Sequence, residues 1–322
     1  MLRHAAMLVI LLLVAGVAPA HAQDKPVKLT LAAGGSAGSW YIGGAVMSEI
    51  VRESFPAINV TPVPGGGVAN MRTIQKGEAD IAFAFWSTAV EAARGEEPFK
   101  TPHGKIRAVI SLFPLYLQIV VRQDGPIKAF GDLVGKKISA GRRGFVGEIT
   151  FLRMLELHGL SVKDIEAKGG KVNFLDYTDS ADMMQDRLLD ALSSTSAIPH
   201  SSYQQIAALF PLRMLPIAED KIQVFEKKYP GWVRSEFPAG VYKGVDAAVP
   251  TLASWSGIVA RDDLAADVVY KVTKALYEKR QRLADAYPAY KAMLPKENTV
   301  LGMSVPMHPG AQQFYKEIGL VK

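Results

Sequence analysis

Alternating apolar and polar residues recur in short runs along this chain, and helical spacing recurs between the runs. Residues 27–33 alternate and are rich in Val, Leu and Thr, which predicts a β-strand. After it, Ile42, Val46 and Ile50 recur every fourth residue and predict the buried face of a helix, with Ser39 as its candidate N-cap. This order of strand and helix is typical of a parallel sheet covered by helices.

The alternation of strand and helix continues through the first third of the chain and then starts again. We predict further strands at 58–63, 81–85 and 106–112, and then at 117–121, 137–140, 172–177, 189–193, 213–217 and 248–260. The repetition predicts an α/β fold of two Rossmann-like lobes with a ligand cleft between them. Lobe 1 is expected to contain residues 23–115 and 261–322, and lobe 2 residues 116–260. The chain would cross between the lobes near Tyr116 and Trp255.

The first 22 residues have the features of an export signal. Arg3 supplies the positive charge, residues 5–17 form an apolar run, and Ala20-His21-Ala22 fits the cleavage pattern. The apolar run is shorter than the ~20 residues that a spanning helix needs. We therefore expect a signal peptide at 1–22, a mature chain that begins at Gln23 in the periplasm, and no stable membrane insertion after cleavage.

Composition removes several classes of function. The chain of 322 residues has no cysteine, which excludes thiol catalysis and iron–sulfur clusters. Its histidines lie far apart without metal-ligand spacing, so no metal and no cofactor is expected. Basic residues alternate with acidic ones, which argues against nucleic-acid binding, and the net charge of +6 weakly favours an anionic solute. A monomer is expected.

One glycine-rich loop allows two hypotheses. Gly34-Gly35-Ser36-Ala37-Gly38 matches the Gly-x-Ser-x-Gly nucleophile elbow of serine hydrolases, with His308 as a late histidine. However, the loop follows the first strand, whereas that elbow normally lies well inside the order of the sheet, and Pro306 and Pro309 flank the histidine. The other hypothesis is ligand capture, because a glycine turn exposes backbone N–H groups at the positive end of a helix. A hydrolase that uses Ser36 stays the alternative.

Similar polar or glycine-rich loops follow several other predicted strands. In open α/β sheets, ligands bind beyond the carboxyl ends of the strands, so these loops predict one cleft. The candidate ligand-binding residues are Gly35, Ser36, Ser39, Trp40, Tyr41, Asn70, Trp86, Ser87, Arg142, Arg143, Gly144, Phe145, Ser194 and Thr195.

Two adjacent arginines are the candidates for binding an acidic group. Neighbouring side chains of an extended segment point to opposite sides, so one of Arg142 and Arg143 is expected to face the cleft. A guanidinium binds a carboxylate through two hydrogen bonds, which favours a small carboxylate as the solute. A solvated basic turn is the other interpretation of the pair.

Four groups of segments, in this order, resemble TAXI-family receptors of TRAP transporters and span nearly all of the mature chain. They are LAAGGSAGSWYIGGA at 31–45, PGGGVAN at 64–70 with KGEADIAF at 76–83, FPAGVYKGVD at 237–246, and MHPGA at 307–311 with YKE at 315–317. The resemblance implies a periplasmic receptor with a fold like type II periplasmic binding proteins, without enzymatic activity. It also implies a TRAP membrane permease as partner, to which the receptor delivers organic acids or amino acids.

The chain departs from that family at the expected pocket. The family usually has a small Gly/Ser/Thr turn at 141–144, an aromatic and glycine segment at 192–196, and a small polar pair near Trp86. These departures leave the identity of the solute open. A binding protein that serves a sensor or an ABC importer is a further alternative.

Overall fold

The computed structural model describes residues 26–35 and 38–322 as a mixed α/β structure. The predicted signal peptide and Ser36 lie outside these residues. The strands are β1 (Val27–Ala32), β2 (Ile58–Val63), β3 (Ile81–Phe85), β4 (Ile106–Arg122), β5 (Lys137–Ser139), β6 (Lys171–Asn173), β7 (Ala191–Ser196), β8 (Leu212–Met214), β9 (Val233–Phe237) and β10 (Val249–Arg261). The α-helices are α1 (Ser39–Ser54), α2 (Gly67–Lys76), α3 (Trp86–Arg94), α4 (Val146–Leu157), α5 (Val162–Glu166), α6 (Tyr177–Gln185), α7 (Ser201–Leu209), α8 (Glu219–Lys228), α9 (Ala266–Glu278), α10 (Arg280–Ala286) and α11 (Pro309–Glu317).

The sheet has two parallel halves, which two long antiparallel strands connect. The order of the main path is β2-β1-β3-β10-β4-β7-β5-β6, and β8 and β9 pair with β4 and β10. In the first half β1 pairs in parallel with β2 and β3, and in the second half β5 pairs in parallel with β6 and β7. The predicted α/β fold of two lobes with a cleft between them is confirmed.

One strand replaces two that the pattern predicts. The segments 106–112 and 117–121 form the continuous strand β4, so the predicted interruption around Pro114 is wrong. Pro114 lies opposite Trp255 of β10, beside a shift in the ladder register. A proline is tolerated there because an irregular ladder has no regular partner for the missing N–H group.

The buried face of α1 differs from the predicted one. Trp40, Met47 and Ile50 are buried, whereas Ile42 is 37% exposed. Both sets fit helical spacing, and the large aromatic side chain of Trp40 takes the inward position. The indole ring stacks on Phe83 of β3 at 5.4 Å between centroids and therefore fixes the start of α1 against the sheet.

Both halves direct the carboxyl ends of their parallel strands to one region. The loop after β1 leads into α1 and the loop after β2 into α2, while β5, β6 and β7 are followed by α4, α6 and α7. The α/β topology therefore collects the starts of five helices from distant parts of the sequence. Within residues 26–35 and 38–322, no helix combines the length and the apolar character that a membrane span needs.

Candidate functional site

A cavity of about 500 Å³ lies where the carboxyl ends of the two halves meet. Its size is within the range of small-molecule sites. The described lining residues are Gly34, Gly35, Gly38, Ser39, Trp40, Pro64, Gly65, Gly66, Gly67, Phe85, Leu115, Arg142, Phe145, Val146, Gly147, Asp176, Tyr177, Thr178, Asp179, Thr195, Ser196, Ala197, His200, Ser201, Ser202 and Tyr287. Of the predicted site residues, Gly35, Ser39, Trp40, Arg142, Phe145 and Thr195 are among them.

Five helix N-termini surround this cavity. The first residues or N-caps of α1, α2, α4, α6 and α7 all belong to its lining. In these described helices no N-cap side chain accepts a hydrogen bond from the first turn. The first N–H groups of a helix have no acceptor within it, and its dipole places about half a positive charge there. Each of the five helix starts favours an anion, whereas the first-turn carboxylates Glu148 of α4 and Asp179 of α6 oppose it.

The guanidinium groups of the adjacent residues Arg142 and Arg143 lie in different surroundings. Arg142 lines the cavity, where its Nη1 is 3.9 Å from a carboxylate oxygen of Asp176 and its guanidinium carbon lies 5.5 Å from the ring centre of Phe145. Arg143 does not line it. Its guanidinium stacks 3.6 Å from the centre of the Phe174 ring, and its Nη1 is 3.8 Å from Glu148. Arg142 is therefore the arginine available to a solute.

Three polar atoms of the lining have no hydrogen-bond partner in the described part of the chain. They are Trp40 Nε1, Thr195 Oγ1 and His200 Nδ1. Trp40 is 7% exposed and Thr195 is 5% exposed, so bulk water does not satisfy them freely. An unsatisfied buried polar group costs about 1–3 kcal/mol, and these three atoms are themselves covered by protein.

His200 is a neutral residue in the wall of the cavity. Burial lowers its pKa to about 4, so the imidazole carries no charge near pH 7. The backbone N–H of His200 donates to the Tyr242 hydroxyl at 2.8 Å, and that hydroxyl donates to Gln118 Oε1 at 2.9 Å. Gln118 Nε2 in turn donates to Ser196 Oγ at 2.8 Å. This chain of hydrogen bonds fixes the part of the cavity wall that the second half of the sheet contributes.

Two predicted ligand residues are instead structural supports. Trp86 is fully buried, and its Nε1 donates to Ser111 Oγ at 2.9 Å. Asn70 is 1% exposed; its Oδ1 accepts from the N–H of Gly66 at 2.9 Å, and its Nδ2 donates to the carbonyls of Ala33 and Phe83 at 2.8 and 2.9 Å. Asn70 therefore holds the loops after β1 and β2 together beside the cavity.

Four other predicted residues also lie outside the cavity lining. Ser87 is buried and accepts a hydrogen bond from Ser254 Oγ at 3.0 Å. Ser194 is buried with its Oγ 3.0 Å from Ser196 Oγ, and the N–H of Gly144 donates to Glu148 at 2.9 Å. Tyr41 is half-buried and packs against the core.

The late histidine of the hydrolase hypothesis is also outside the lining. His308 is the N-cap of α11, and its Nδ1 accepts the N–H of Gly310 at 3.2 Å. In the described residues no group of three or more His, Asp or Glu side chains could hold a metal ion.

Several lining residues are absent from the set that the sequence predicts. Asp176 and Tyr177 begin α6, where a strand was predicted to extend to residue 177, and that prediction is wrong at its end. His200 stands four residues beyond β7, and Tyr287 comes from the distant C-terminal part of the chain. A rule that inspects the residues after every predicted strand would find His200, but no local signal points to Tyr287.

Glycines permit the close approach of the two halves. A Cβ at Gly67 would lie 2.8 Å from Val146 Cγ2, and one at Gly66 would lie 3.2 Å from the ring of Phe145. Within the second half, a Cβ at Gly147 would lie 2.7 Å from the Tyr177 hydroxyl. Side chains at these positions would occupy space where α2 and α4 begin.

Solved structures share this two-lobed α/β fold. A solved TctC solute binding protein from Polaromonas is similar over 92% of this chain and 99% of its own, at 14% identity and a TM-score of 0.51. The alkanesulfonate-binding protein SsuA from Xanthomonas axonopodis pv. citri, solved with MOPS, matches 93% of this chain and 96% of its own, at 16% identity and a TM-score of 0.47. At such identities a likeness extends to the fold alone. The sequence model of the NMT1-like family matches residues 31–319, so the chain belongs to that family.

Proposed function

We propose that this protein is an exported, non-enzymatic receptor that captures a small anionic solute and delivers it to a TRAP-type membrane permease. The observation that carries the proposal is the convergence of five uncapped helix N-termini on one cavity, with Arg142 in its wall. Positive helix ends are preformed anion sites. The fold of the TctC solute binding protein supports the receptor class, and the TAXI-like segments support the TRAP partner.

The proposed mechanism is closure of two lobes over the solute. Lobe 1 would contain residues 23–115 and 261–322, and lobe 2 residues 116–260, with hinges in the two long strands. Contacts between these parts support the proposal. Arg153 Nη1 is 2.5 Å from Glu91 Oε1, and the Tyr287 hydroxyl donates to the carbonyl of Pro199 at 3.0 Å. A solute that contacts both lobes would favour the closed form by its greater affinity for it.

A thermal-shift screen of the mature protein tests the proposed class of solute. Because a ligand of the folded form stabilises it by mass action, small organic anions should raise the melting temperature and neutral analogues should not. Calorimetry and chromatography of the recovered solute would then measure affinity and exclude turnover. Binding of neutral or cationic solutes alone, or recovery of a cleaved product, would contradict the proposal.

The partner and the export signal need separate tests. Solute uptake by vesicles that contain a TRAP permease should depend on this receptor, whereas an ABC importer or a sensor as partner would give no such uptake. Mass spectrometry of the secreted chain should give an N-terminus at Gln23, and material that retains Met1 would contradict the signal peptide.

A further inference from the structure

The charges of the lining limit the charge of a solute. Among the described lining residues the charged side chains are Arg142, Asp176 and Asp179, which is one cation against two carboxylates. His200 adds no positive charge near pH 7, because burial keeps its pKa at about 4. Arg142 already lies 3.9 Å from Asp176, so the helix starts and Arg142 can stabilise one acidic group, whereas a second acidic group would meet Asp179 without a second cation.

The apolar part of the lining is mostly aromatic. Trp40, Phe85 and Tyr287 come from one side of the cleft, and Phe145 and Tyr177 from the other. Flat rings on both sides can enclose a flat solute, and aromatic pairs contribute about 0.5–1.5 kcal/mol beyond the burial of their area.

These rings are held in place before any solute binds. Trp40 stacks on Phe83, and its ring centre is 5.0 Å from that of Phe85. Tyr177 meets His200 edge to face at 5.2 Å. Rigid walls of this kind reduce the ordering cost of binding and favour solutes that match their shape.

The size of the cavity agrees with a solute larger than a short aliphatic acid. A volume of about 500 Å³ accommodates a ring together with an acidic group.

We propose that the solute is an aromatic monoanion, a flat ring that carries a single carboxylate or sulfonate. Its acidic group lies against the helix starts and Arg142, and its ring lies between the aromatic side chains of the two lobes. This inference rests on the proposed function, since it specifies which anions the receptor prefers. Asp179 is the residue that selects against dianions.

Calorimetry with matched probes at pH 7 tests the inference. The aromatic monoanions are benzoate, phenylacetate and benzenesulfonate. Cyclohexanecarboxylate tests the need for a flat ring, terephthalate the effect of a second charge, and benzamide the need for a charge. Succinate and glutamate represent the aliphatic acids. At least one aromatic monoanion should bind tenfold more tightly than each of the other five. The inference is wrong, and the proposed anion receptor is unaffected, if any of the other anions binds as tightly as the best aromatic monoanion. These other anions are cyclohexanecarboxylate, succinate, glutamate and terephthalate. If no anion binds, or if benzamide binds as tightly as benzoate, both the inference and the proposed function are wrong.

Two variants separate the roles of charge and ring. Asp179→Asn should reduce the discrimination between benzoate and terephthalate at least threefold, because it removes a carboxylate of the lining that repels the second charge. Phe145→Leu should weaken binding of the best aromatic anion at least fivefold and that of cyclohexanecarboxylate less than twofold. The assignment of these residues to charge and ring selection would be overturned if the affinity ratios between probes are unchanged in variants that melt at the parental temperature.

Discussion

Arg142 and Arg143 are adjacent in the chain but differ in what they contact. Arg142 lines the cavity beside Asp176, whereas Arg143 lies on the Phe174 ring. A charge-assisted hydrogen bond contributes about 1.5–3 kcal/mol, so Arg142→Ala should weaken binding of an anionic solute by about 10- to 100-fold. Its loss would also leave Asp176 without a partner near the bound anion.

Arg143→Ala is the matched control for this prediction. Its side chain is as exposed as that of Arg142, at 70% against 61%, so both variants should fold alike. Calorimetry should show a change in affinity below threefold for Arg143→Ala. Equal losses in the two variants, or no loss in either, would contradict the assignment of Arg142 to the solute.

His200 makes the stability of the protein depend on pH. Burial lowers its pKa to about 4, while an unfolded chain has a histidine pKa near 6.5. Between these values the unfolded state binds more protons, so the free energy of unfolding falls as pH falls from about 6.5 to 4. One proton accounts for a slope of at most about 1.4 kcal/mol per pH unit.

Replacing the imidazole tests this contribution. His200→Asn should lower stability near pH 7, because Asn fills less of the wall, but the loss of stability on acidification should be shallower than in the parent. Denaturant unfolding of both proteins from pH 7 to 4 measures the two slopes. Parallel curves would show that His200 does not titrate in this range.

At the scale of elements, the starts of α2 and α4 approach each other closely. Ala at position 67 would bring its Cβ 2.8 Å from Val146 Cγ2 and 3.1 Å from Phe85 Cδ2. Gly67→Ala should therefore weaken solute affinity about fivefold or more by hindering closure, although alanine favours the helix itself. Calorimetry with a proven solute measures the effect.

The control for Gly67→Ala is Gly104→Ala, at an exposed turn where a Cβ meets nothing within 4 Å. It should leave affinity unchanged. The double variant Gly67→Ala with Val146→Ala should recover part of the lost affinity, because it removes the opposing methyl group. Failure to recover any affinity would place the effect within α2 or in its contact with Phe85, and not between the two helices.

At the scale of the molecule, a buried ion pair connects the proposed lobes. Glu91 of α3 is 4% exposed and pairs with Arg153 of α4, whose Nη2 also donates to the carbonyl of Glu97 at 2.9 Å. Burial raises the pKa of Glu91, and the charge of Arg153 opposes that rise. Removing one partner of a buried pair is strongly destabilising, so Glu91→Gln should shift the protein toward the open form.

Stopped-flow release of a bound solute and small-angle scattering test the role of this pair. Glu91→Gln should increase the dissociation rate about tenfold and raise the radius of gyration of the solute-free protein. The control is Arg282→Gln, which breaks exposed ion pairs to Glu49 and Glu53 within proposed lobe 1. If both variants release the solute at the parental rate, the pair does not hold the lobes closed.

Local patterns in the sequence determined the α/β order and the position of the glycine loops. Alternation at 27–33, helical spacing after it and a glycine turn between them depend on neighbouring residues alone. The rule that ligands bind beyond the carboxyl ends of parallel strands then predicted Trp40, Arg142, Phe145 and Thr195 near one cleft, and all four line the cavity.

Only the tertiary structure decided the composition and the charge of the cavity. Tyr287 reaches the site through contacts across the fold, and the exclusion of Trp86 follows from its packing on the β10 glycine Gly257. The choice between Arg142 and Arg143 depended on Phe174, an aromatic partner 31 residues away in the sequence. Such contacts join residues that are distant along the chain, so no local period encodes them, and the folded sheet alone brings them together.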